Sequence, residues 1–456
     1  MTERRVEIDR GRLGELLSRE RERYRSSNPR SAQQFGEAEH LFGRVPMTWM
    51  AKAAGGFPLY LAKAHGARVT DIDGHEYVDF CLGDTGAMAG HSPEPTVAAV
   101  ALRYGELGGA TTMMPSADAE WVGAELSRRF GLSRWSFTLT ATDANRWAIR
   151  LARAITGRPK ILVNSYCYHG SVDESLIIRD PEGRSVSRPG NVGQPVDVTQ
   201  TSRVAEYNDL EQLERELSHG DVAVVLMEPA LTNIGIVLPE PGYLDGVREL
   251  TRAAGTLLIN DETHTFSAGF GGATRAWSLE PDIVTIGKAI GGGIPSGAYG
   301  LSDEVAARVE SLSGLDLVDV GGVGGTLAGN ALSVASMRAT LEHVLTEPAF
   351  ETMIALAERF QRQVSETIVS RGLPWSVTRL GARAEYRFRA TPPRSGGESV
   401  AVHDGPLEDF LHVYLANNGI LMTPFHNMAL MCPQTTEADV DRHGAAFEQA
   451  VNELLG

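Results

Sequence analysis

Short apolar segments that alternate with amphipathic helical segments are the feature that most restricts the fold of this chain. The runs 221–227 (DVAVVLM), 256–260 (TLLIN) and 282–286 (DIVTI) carry few polar side chains. Between residues 143 and 157, apolar residues recur at the i, i+3, i+4 and i+7 spacing of one helix face. Strands that are apolar throughout are typical of a parallel sheet with helices on both faces. We therefore predict an α/β fold that binds its ligand beyond the carboxyl ends of the strands.

The pattern of segments changes near residue 332, and this change predicts the domain organisation. Residues 69–335 are predicted to form a large ligand-binding domain that opens with a hairpin around an Asp-Gly turn. Residues 336–456 combine long helical segments with strand-like segments and are predicted to form a smaller α+β domain. Residues 1–68 are predicted to be an N-terminal segment that contributes to the small domain and to the substrate pocket.

Composition argues against several classes of function. The 456 residues have a formal net charge of −16 and a pI near 5.3, which disfavours a nucleic-acid or anionic-membrane partner. Cys81, Cys167 and Cys432 are spaced too widely for a zinc motif, and their odd number gives no disulfide framework. The charged start lacks the apolar core of a signal peptide, and no apolar stretch is long enough to cross a bilayer. We expect a cytoplasmic protein that acts on small molecules and has no metal site.

Two ionisable side chains follow neighbouring apolar runs, at the edge of the sheet where a ligand is expected. Asp261 follows one run, and Lys288 follows the next within the glycine-rich segment 286–300 (IGKAIGGGIPSGAYG). Lysine rarely enters a protein interior unless it is paired or functional. A lysine removed from water favours its neutral amine, which can attack a carbonyl carbon. The surrounding glycines would let a flat ligand approach the backbone closely.

Further groups stand at other strand ends. Ala141 and Thr142 open a helix, where free backbone N–H groups and the helix dipole favour an anion, and Thr142 is a good N-cap by residue type. Tyr168 follows the strand-like run 159–164 after a short loop, and Glu228 follows the run 221–227. Taken singly, each group has a plain structural explanation. Together a lysine, a carboxylate, an anion site and an aromatic ring match the needs of pyridoxal 5′-phosphate.

On these residues the chain resembles the fold-type I, class III aminotransferases, in the branch of glutamate-1-semialdehyde aminomutase-like enzymes and β-amino-acid transaminases. The resemblance extends over roughly residues 40–440. It implies a large domain with a mostly parallel seven-stranded sheet and a smaller α+β domain. The matching motifs are TATDAN (140–145), YHG (168–170), EP (228–229), NDETHT (260–265), IGKAIGGGIPSGAYG (286–300) and GGTLAGN (324–330).

The resemblance implies a role for each matching residue. Lys288 would form the Schiff base with pyridoxal 5′-phosphate and move a proton between substrate and cofactor carbons. Asp261 would pair with the pyridine nitrogen of the cofactor. The remaining cofactor contacts would be the backbone N–H groups of Ala141 and Thr142 on the phosphate, Tyr168 stacked on the ring, His169 beside it, Glu228 near the ring hydroxyl, and Thr326 on the phosphate bound in the other subunit. Thr326 therefore implies a homodimer.

The substrate side is less well defined by the sequence. The segment LFGRVPMTWM offers the cation Arg44, and MTPFHNMALM offers a histidine but no arginine. Bulky apolar residues in both segments suggest a pocket wall, although such residues are more often plain core. His264 either contacts substrate or is a structural histidine, and no third ligand accompanies Asp261 and His264 at a metal spacing. The candidate substrate residues are Arg44, Trp49, His264, Phe425 and His426, with Met50 and Met428 as further wall candidates.

Three positions depart from the family pattern. Ala141 replaces the usual glycine, Asp143 the usual glutamate, and Thr263 the usual valine against the ring. The N-terminal segment also lacks the Gly-Gly-Val-Asn-Ser-Pro type run of the aminomutases. We therefore predict a ping-pong transaminase that uses Lys288 to move an amino group from an amine or (β-)amino acid to a 2-oxo acid or related carbonyl acceptor. The alternatives are a glutamate-1-semialdehyde-type 2,1-aminomutase and a non-catalytic protein of this fold, against which Lys288 and Asp261 argue.

Overall fold

The computed structural model describes residues 7–312 and 321–456. Within these residues the strands are β1 (Leu61–His65), β2 (Arg68–Asp71), β3 (Glu76–Asp79), β4 (Arg134–Thr138), β5 (Lys160–Asn164), β6 (Ile177–Arg179), β7 (Ser185–Ser187), β8 (Ser202–Ala205), β9 (Val222–Met227), β10 (Leu257–Asp261), β11 (Ile283–Gly287), β12 (Gly297–Leu301), β13 (Ser376–Leu380), β14 (Arg383–Arg387), β15 (Ile420–Leu421) and β16 (Met428–Leu430). The helices are α1 (Arg10–Ser27), α2 (Pro29–Glu37), α3 (Glu94–Ala101), α4 (Asp118–Phe130), α5 (Ala141–Thr156), α6 (Leu210–Leu217), α7 (Tyr243–Ala254), α8 (Gly272–Ala276), α9 (Asp303–Glu310), α10 (Ala331–His343), α11 (Glu347–Ser370), α12 (Gly396–Val400), α13 (Gly405–Asn417) and α14 (Glu437–Leu455).

These elements form two units. The larger unit is the described part of Pro93–Phe350 together with Pro393–Ala401. The smaller unit combines the described part of Met1–Ser92 with Glu351–Pro392 and Val402–Gly456. Both ends of the chain therefore belong to one unit. The boundaries predicted at 68/69 and 335/336 differ from these limits and stay a prediction.

The larger unit is built on a sheet that has seven strands in the described residues, in the order β4-β12-β11-β10-β9-β5-β8. The neighbours from β11 to β8 pair in parallel, and only β12 runs against its neighbours β11 and β4. Strands β9, β10 and β11 are buried along their whole length, as the continuous apolar runs require. The predicted mostly parallel seven-stranded sheet is confirmed.

The start of helix α5 differs from the sequence-based expectation in one respect. The N-cap is Thr140 and not Thr142, because the Oγ1 atom of Thr140 accepts a hydrogen bond from the backbone N–H of Asp143 (3.1 Å). The chain turns directly after β4, where the Oγ1 atom of Thr138 donates to the carbonyl oxygen of Thr140 (2.7 Å). Residues Ala141 and Thr142 consequently lie in the first helical turn.

The smaller unit contains two sheets of its own. Strands β1, β2 and β3 form an antiparallel meander, and β15 pairs in parallel with β3. The predicted Asp-Gly hairpin is the β2–β3 turn, where Gly74 adopts a φ of +96° that favours glycine. Strands β13, β14 and β16 form the second, antiparallel sheet. Across the described residues of both units, the helices are all too short or too polar to cross a membrane.

Candidate active site

The site lies where β10, β11 and the N-terminus of α5 meet. β10 and β11 are parallel neighbours, with Asp261 in register with Thr285, so both strands end at the same edge of the sheet. Lys288 follows the last residue of β11, Gly287. A Cβ atom on Gly287 would lie 2.9 Å from the backbone nitrogen of Ala141, which shows how closely the strand end approaches the helix. The fold therefore brings Asp261, Lys288 and the start of α5 together.

Asp261 is a buried carboxylate held by donors on three sides. Its Oδ2 atom accepts hydrogen bonds from Nδ1 of His169 (2.8 Å) and from Nδ2 of Asn145 (2.8 Å). Its Oδ1 atom accepts from the backbone N–H of Thr263 (3.0 Å). Burial alone would raise the pKa of Asp261, but the hydrogen bond and charge of His169 outweigh burial and leave this pKa below its usual range. The carboxylate is therefore an anion at neutral pH.

Asn145 is a site residue that the sequence-based prediction missed. Its side-chain oxygen accepts a hydrogen bond from Oγ1 of Thr285 (2.6 Å), so its amide NH₂ group is turned toward Asp261. A signal was present in the sequence. Asn145 shares the spacing 145, 148, 149, 152 with the apolar face of α5, and a polar residue on a buried helix face calls for a partner.

Lys288 is half-buried and begins a 3-10 turn, Lys288–Gly291. Its φ of +51° lies in the left-handed region, which non-glycine residues rarely adopt. The surrounding fold therefore holds this backbone conformation and sets the direction in which the Lys288 side chain leaves the backbone. The Nζ atom lies 2.7 Å from Nε2 of His264. The sequence left His264 either as a substrate contact or as a structural histidine, and the structure pairs it with Lys288.

The start of α5 offers an anion site. The backbone N–H groups of Ala141 and Thr142 lie in the first turn, where no carbonyl of the helix can accept from them. The Thr142 side chain binds the neighbouring loop, since its Oγ1 atom accepts a hydrogen bond from the backbone N–H of Ser171 (3.3 Å). Gly170 has a φ of +77°, and a Cβ atom there would lie 1.9 Å from the same Oγ1 atom. A glycine is therefore required after His169.

Tyr168 and Glu228 lie beside this cluster and are joined to each other by a hydrogen bond. The Oε1 atom of Glu228 accepts from the backbone N–H of Tyr168 (3.4 Å), and Oγ1 of Thr232 donates to Oε2. Burial raises the pKa of the Glu228 carboxyl. The Tyr168 side chain is 43% exposed and can therefore contact a ligand. Thr326 is exposed in a turn of the described chain, and its role toward a second subunit stays a prediction.

The remaining substrate candidates belong to the smaller unit. Arg44 is exposed, with Nη1 3.3 Å from the carbonyl oxygen of Gly36. The rings of Trp49 and Phe425 pack edge to face, 6.4 Å between centroids, and both are partly exposed. His426 is buried, with Nδ1 3.7 Å from Oε1 of Glu385. Met428 is 1% exposed within β16, and its place in the pocket wall stays a prediction.

The sheet topology and the Lys288–Asp261 cluster define a pyridoxal-phosphate-dependent enzyme of fold-type I. The chain belongs to the family "Aminotransferase class-III", whose model matches residues 49–451. It is 33% identical over 436 residues to glutamate-1-semialdehyde 2,1-aminomutase 2 of Brevibacillus brevis, covering 93% of this chain and 99% of the relative.

Solved structures give the same family. A glutamate-1-semialdehyde-aminomutase from Pseudomonas aeruginosa PAO1 superposes with a TM-score of 0.95 at 47% identity, covering 98% of this chain and 100% of the other. An omega-transaminase from Sphaerobacter thermophilus has a TM-score of 0.84 at 28% identity, covering 93% and 98%. The Pseudomonas protein has also been solved in complex with PMP. The predicted fold-type I, class III resemblance is confirmed.

Class III aminotransferases use pyridoxal 5′-phosphate, and the residues present fit this cofactor. Asp261 is an anion suited to a protonated ring nitrogen, and the start of α5 suits a phosphate. Within residues 7–312 and 321–456, no group of three His, Cys, Asp or Glu side chains could hold a metal ion.

Proposed function

We propose that this chain holds pyridoxal 5′-phosphate on Lys288 and moves an amino group of a small substrate. The observation that carries the proposal is the anion Asp261, held by His169 and Asn145 one strand away from Lys288. When bound, the cofactor supplies an electron-accepting ring that weakens the bonds at the amine-bearing carbon of the substrate.

Residues of this chain bind the cofactor and move the proton. The N–H groups at the start of α5 bind the phosphate and fix the position of the ring. Asp261 holds a proton on the ring nitrogen, because its own pKa is too low for it to keep that proton. Glu228, whose pKa is raised by burial, lies near the ring hydroxyl as a polar partner. Tyr168 covers one face of the ring, and Lys288 takes and returns a proton through Nζ.

For the reaction, we favour migration of the amino group within one molecule, as in a glutamate-1-semialdehyde 2,1-aminomutase. The relative from Brevibacillus brevis and the structure from Pseudomonas aeruginosa support this choice, since both match nearly the whole chain and both carry that name. The omega-transaminase is less similar, at 28% identity. This order reverses the sequence-based expectation, which ranked transfer between separate donor and acceptor first.

A transaminase is the second candidate, and one observation favours it. Trp49 and Phe425 present two partly exposed aromatic rings, and Arg44 is exposed on the same N-terminal segment as Trp49. Such a surface suits an amine or β-amino acid with an apolar substituent, with the arginine pairing a carboxylate. A short semialdehyde has little apolar surface to bury against these rings.

The two candidate reactions differ in the number of substrates, because an aminomutase rearranges one molecule and a transaminase needs both a donor and an acceptor. An experiment can test this difference. The pyridoxamine-loaded, full-length protein should convert glutamate-1-semialdehyde to an isomer of unchanged mass without a second substrate. A transaminase loaded with pyridoxal 5′-phosphate should instead release a carbonyl compound from its amino donor and need pyruvate or 2-oxoglutarate to restore the starting absorbance. The Lys288→Ala variant, prepared identically, is the control. Cofactor-loaded protein whose spectrum responds to neither class of substrate would contradict both.

We also propose that the functional unit is a homodimer in which Thr326 contacts the phosphate bound in the other subunit. The exposed position of Thr326 in one chain supports this arrangement. A mixed dimer of Lys288→Ala and Thr326→Ala subunits gives the test. If Thr326 acts on the other subunit's site, the mixed dimer contains one intact site and regains activity that neither parent has. If activity does not recover, or a cofactor-loaded monomer is active, the proposal fails.

A further inference from the structure

Strand register places His264 opposite Lys288. Asp261 on β10 is in register with Thr285 on the parallel strand β11. His264 and Lys288 each stand three positions beyond that pair, and each lies at the start of a 3-10 turn. Two parallel neighbouring strands end side by side, so the residues that follow them start from neighbouring positions. Beyond the strand ends, the Nζ atom of Lys288 and the Nε2 atom of His264 lie 2.7 Å apart.

The turn that carries His264 is firmly held. Its carbonyl oxygen accepts hydrogen bonds from the backbone N–H (3.2 Å) and the Oγ atom (3.0 Å) of Ser267. Glu262 anchors the same turn to α8, because its carboxylate accepts from the backbone N–H groups of Ala273 (3.1 Å) and Thr274 (2.5 Å). Asp261 is occupied by His169 and Asn145. These hydrogen bonds hold the turn from which the His264 imidazole contacts Lys288.

The chemistry of the two groups fixes the direction of the hydrogen bond. An ammonium group has three donors and no acceptor, so a protonated Lys288 must donate. Nε2 of His264 must then accept, and the proton of the neutral imidazole lies on Nδ1. A hydrogen bond of this kind restricts a side chain that otherwise has many rotamers.

We propose that His264 is a positioning residue that aims the Lys288 amine while this lysine is not joined to the cofactor. The proposal rests on the proposed function, in which Nζ takes a proton from one carbon atom and returns it to another. In the intervening ammonium state, Nζ–H donates to Nε2, and His264 neither gains nor loses a proton overall. Aim matters because a misplacement of about 1 Å can cost roughly 10²-fold in rate.

Two substitutions separate this role from a purely structural one. His264→Phe keeps a ring of similar size without an acceptor, whereas His264→Gln keeps an acceptor of similar reach. His219→Gln is the matched control, since His219 is an exposed histidine of the same unit. The chain has four lysines, Lys52, Lys63, Lys160 and Lys288, so acylation by acetic anhydride can be mapped completely by mass spectrometry.

In the full-length, cofactor-free chain, His264→Phe should raise acylation of Lys288 relative to exposed Lys63 about 5-fold, because Nζ is no longer held by Nε2 and reaches the reagent more freely. In the cofactor-loaded chain, the same variant should slow exchange of the substrate's carbon-bound hydrogen by about 10- to 100-fold. His264→Gln and His219→Gln should stay within about 3-fold of the wild type in both measurements.

A rise in Lys288 acylation together with a fall in the rate of hydrogen exchange distinguishes a positioning role from a structural one. An unchanged Lys288-to-Lys63 ratio in His264→Phe, or His264→Gln behaving like His264→Phe, would overturn the proposal. So would a parallel rise at Lys160, which is paired with Asp221 (3.3 Å) and reports loosening of the fold. The acylation ratio needs no cofactor, so it stands even if Lys288 does not carry one, and failure of the proposed function is detected separately.

Discussion

The cluster around Lys288 in the larger unit and the Trp49–Phe425 surface in the smaller unit are built differently. The first draws its side chains from the ends of neighbouring strands and from α5, and Asp261 alone receives three hydrogen bonds. The second draws on a 3-10 turn, Thr48–Ala51, and on the loop before β16, and its rings are 44% and 37% exposed.

We expect this difference to separate reaction chemistry from substrate choice. A buried carboxylate with fixed donors cannot change without loss of the charge that the cofactor needs. Partly exposed aromatic rings on turns can change at small cost, and they discriminate between substrates by modest factors. We therefore expect substitutions in the Lys288 cluster to abolish every reaction, and substitutions in the Trp49–Phe425 surface to alter which substrate is used.

Removal of the Lys288 amine should have the largest effect. Lys288→Ala should lower turnover of every substrate by at least about 10⁴-fold, because both cofactor attachment and proton transfer are lost. Lys63→Ala, on an exposed strand residue, should match the wild type. Steady-state kinetics with matched cofactor loading measure both. A Lys288→Ala variant that keeps one-hundredth of wild-type turnover would place the chemistry elsewhere.

Neutralising Asp261 should have the next largest effect. Asp261→Asn keeps the size of the side chain but removes the negative charge, and turnover should fall by about 10³-fold, the loss typical of a preorganised charge. The exposed Asp245→Asn variant on α7 serves as control. Near-normal turnover by Asp261→Asn would show that the ring nitrogen has no anionic partner.

Loss of Asn145 should weaken the cluster and change its pH dependence. The pKa of Asp261 lies below its usual range, so the carboxylate is lost only as pH falls through that low value. Asn145→Ala removes one donor, so this pKa should rise and the acidic limb of the rate–pH profile should move to higher pH. Turnover at neutral pH should fall about 10-fold. An unchanged acidic limb would mean that Asn145 has no influence on Asp261.

Truncation of the aromatic surface should have the smallest effect. Trp49→Ala and Phe425→Ala should each change the ratio of kcat/KM between an apolar amino donor and glutamate-1-semialdehyde by about 10-fold. Cofactor loading, measured by visible absorbance, should stay at the wild-type level. Substitutions that abolish loading, or that leave the ratio unchanged, would remove the distinction between the two regions.

The sequence could predict the Lys288 cluster because continuous apolar runs mark the strands and the residue after each run marks the ligand edge. It could not predict that Thr140 rather than Thr142 caps α5, since this depends on where the chain turns after β4. The His264–Lys288 contact was also hidden, because it depends on the pairing register of β10 with β11. The role of Met428 stays open for a related reason, because a methionine that lines a pocket and one that fills a core have the same local pattern.

The central claim is that Lys288 carries the cofactor, and peptide mapping tests it most directly. Borohydride reduction of the cofactor-loaded protein should fix a pyridoxyl group on one of the four lysines, and mass spectrometry then locates it. We predict the group on Lys288 alone, with Lys52, Lys63 and Lys160 unmodified. A pyridoxyl group on another lysine, or on none, would contradict the account.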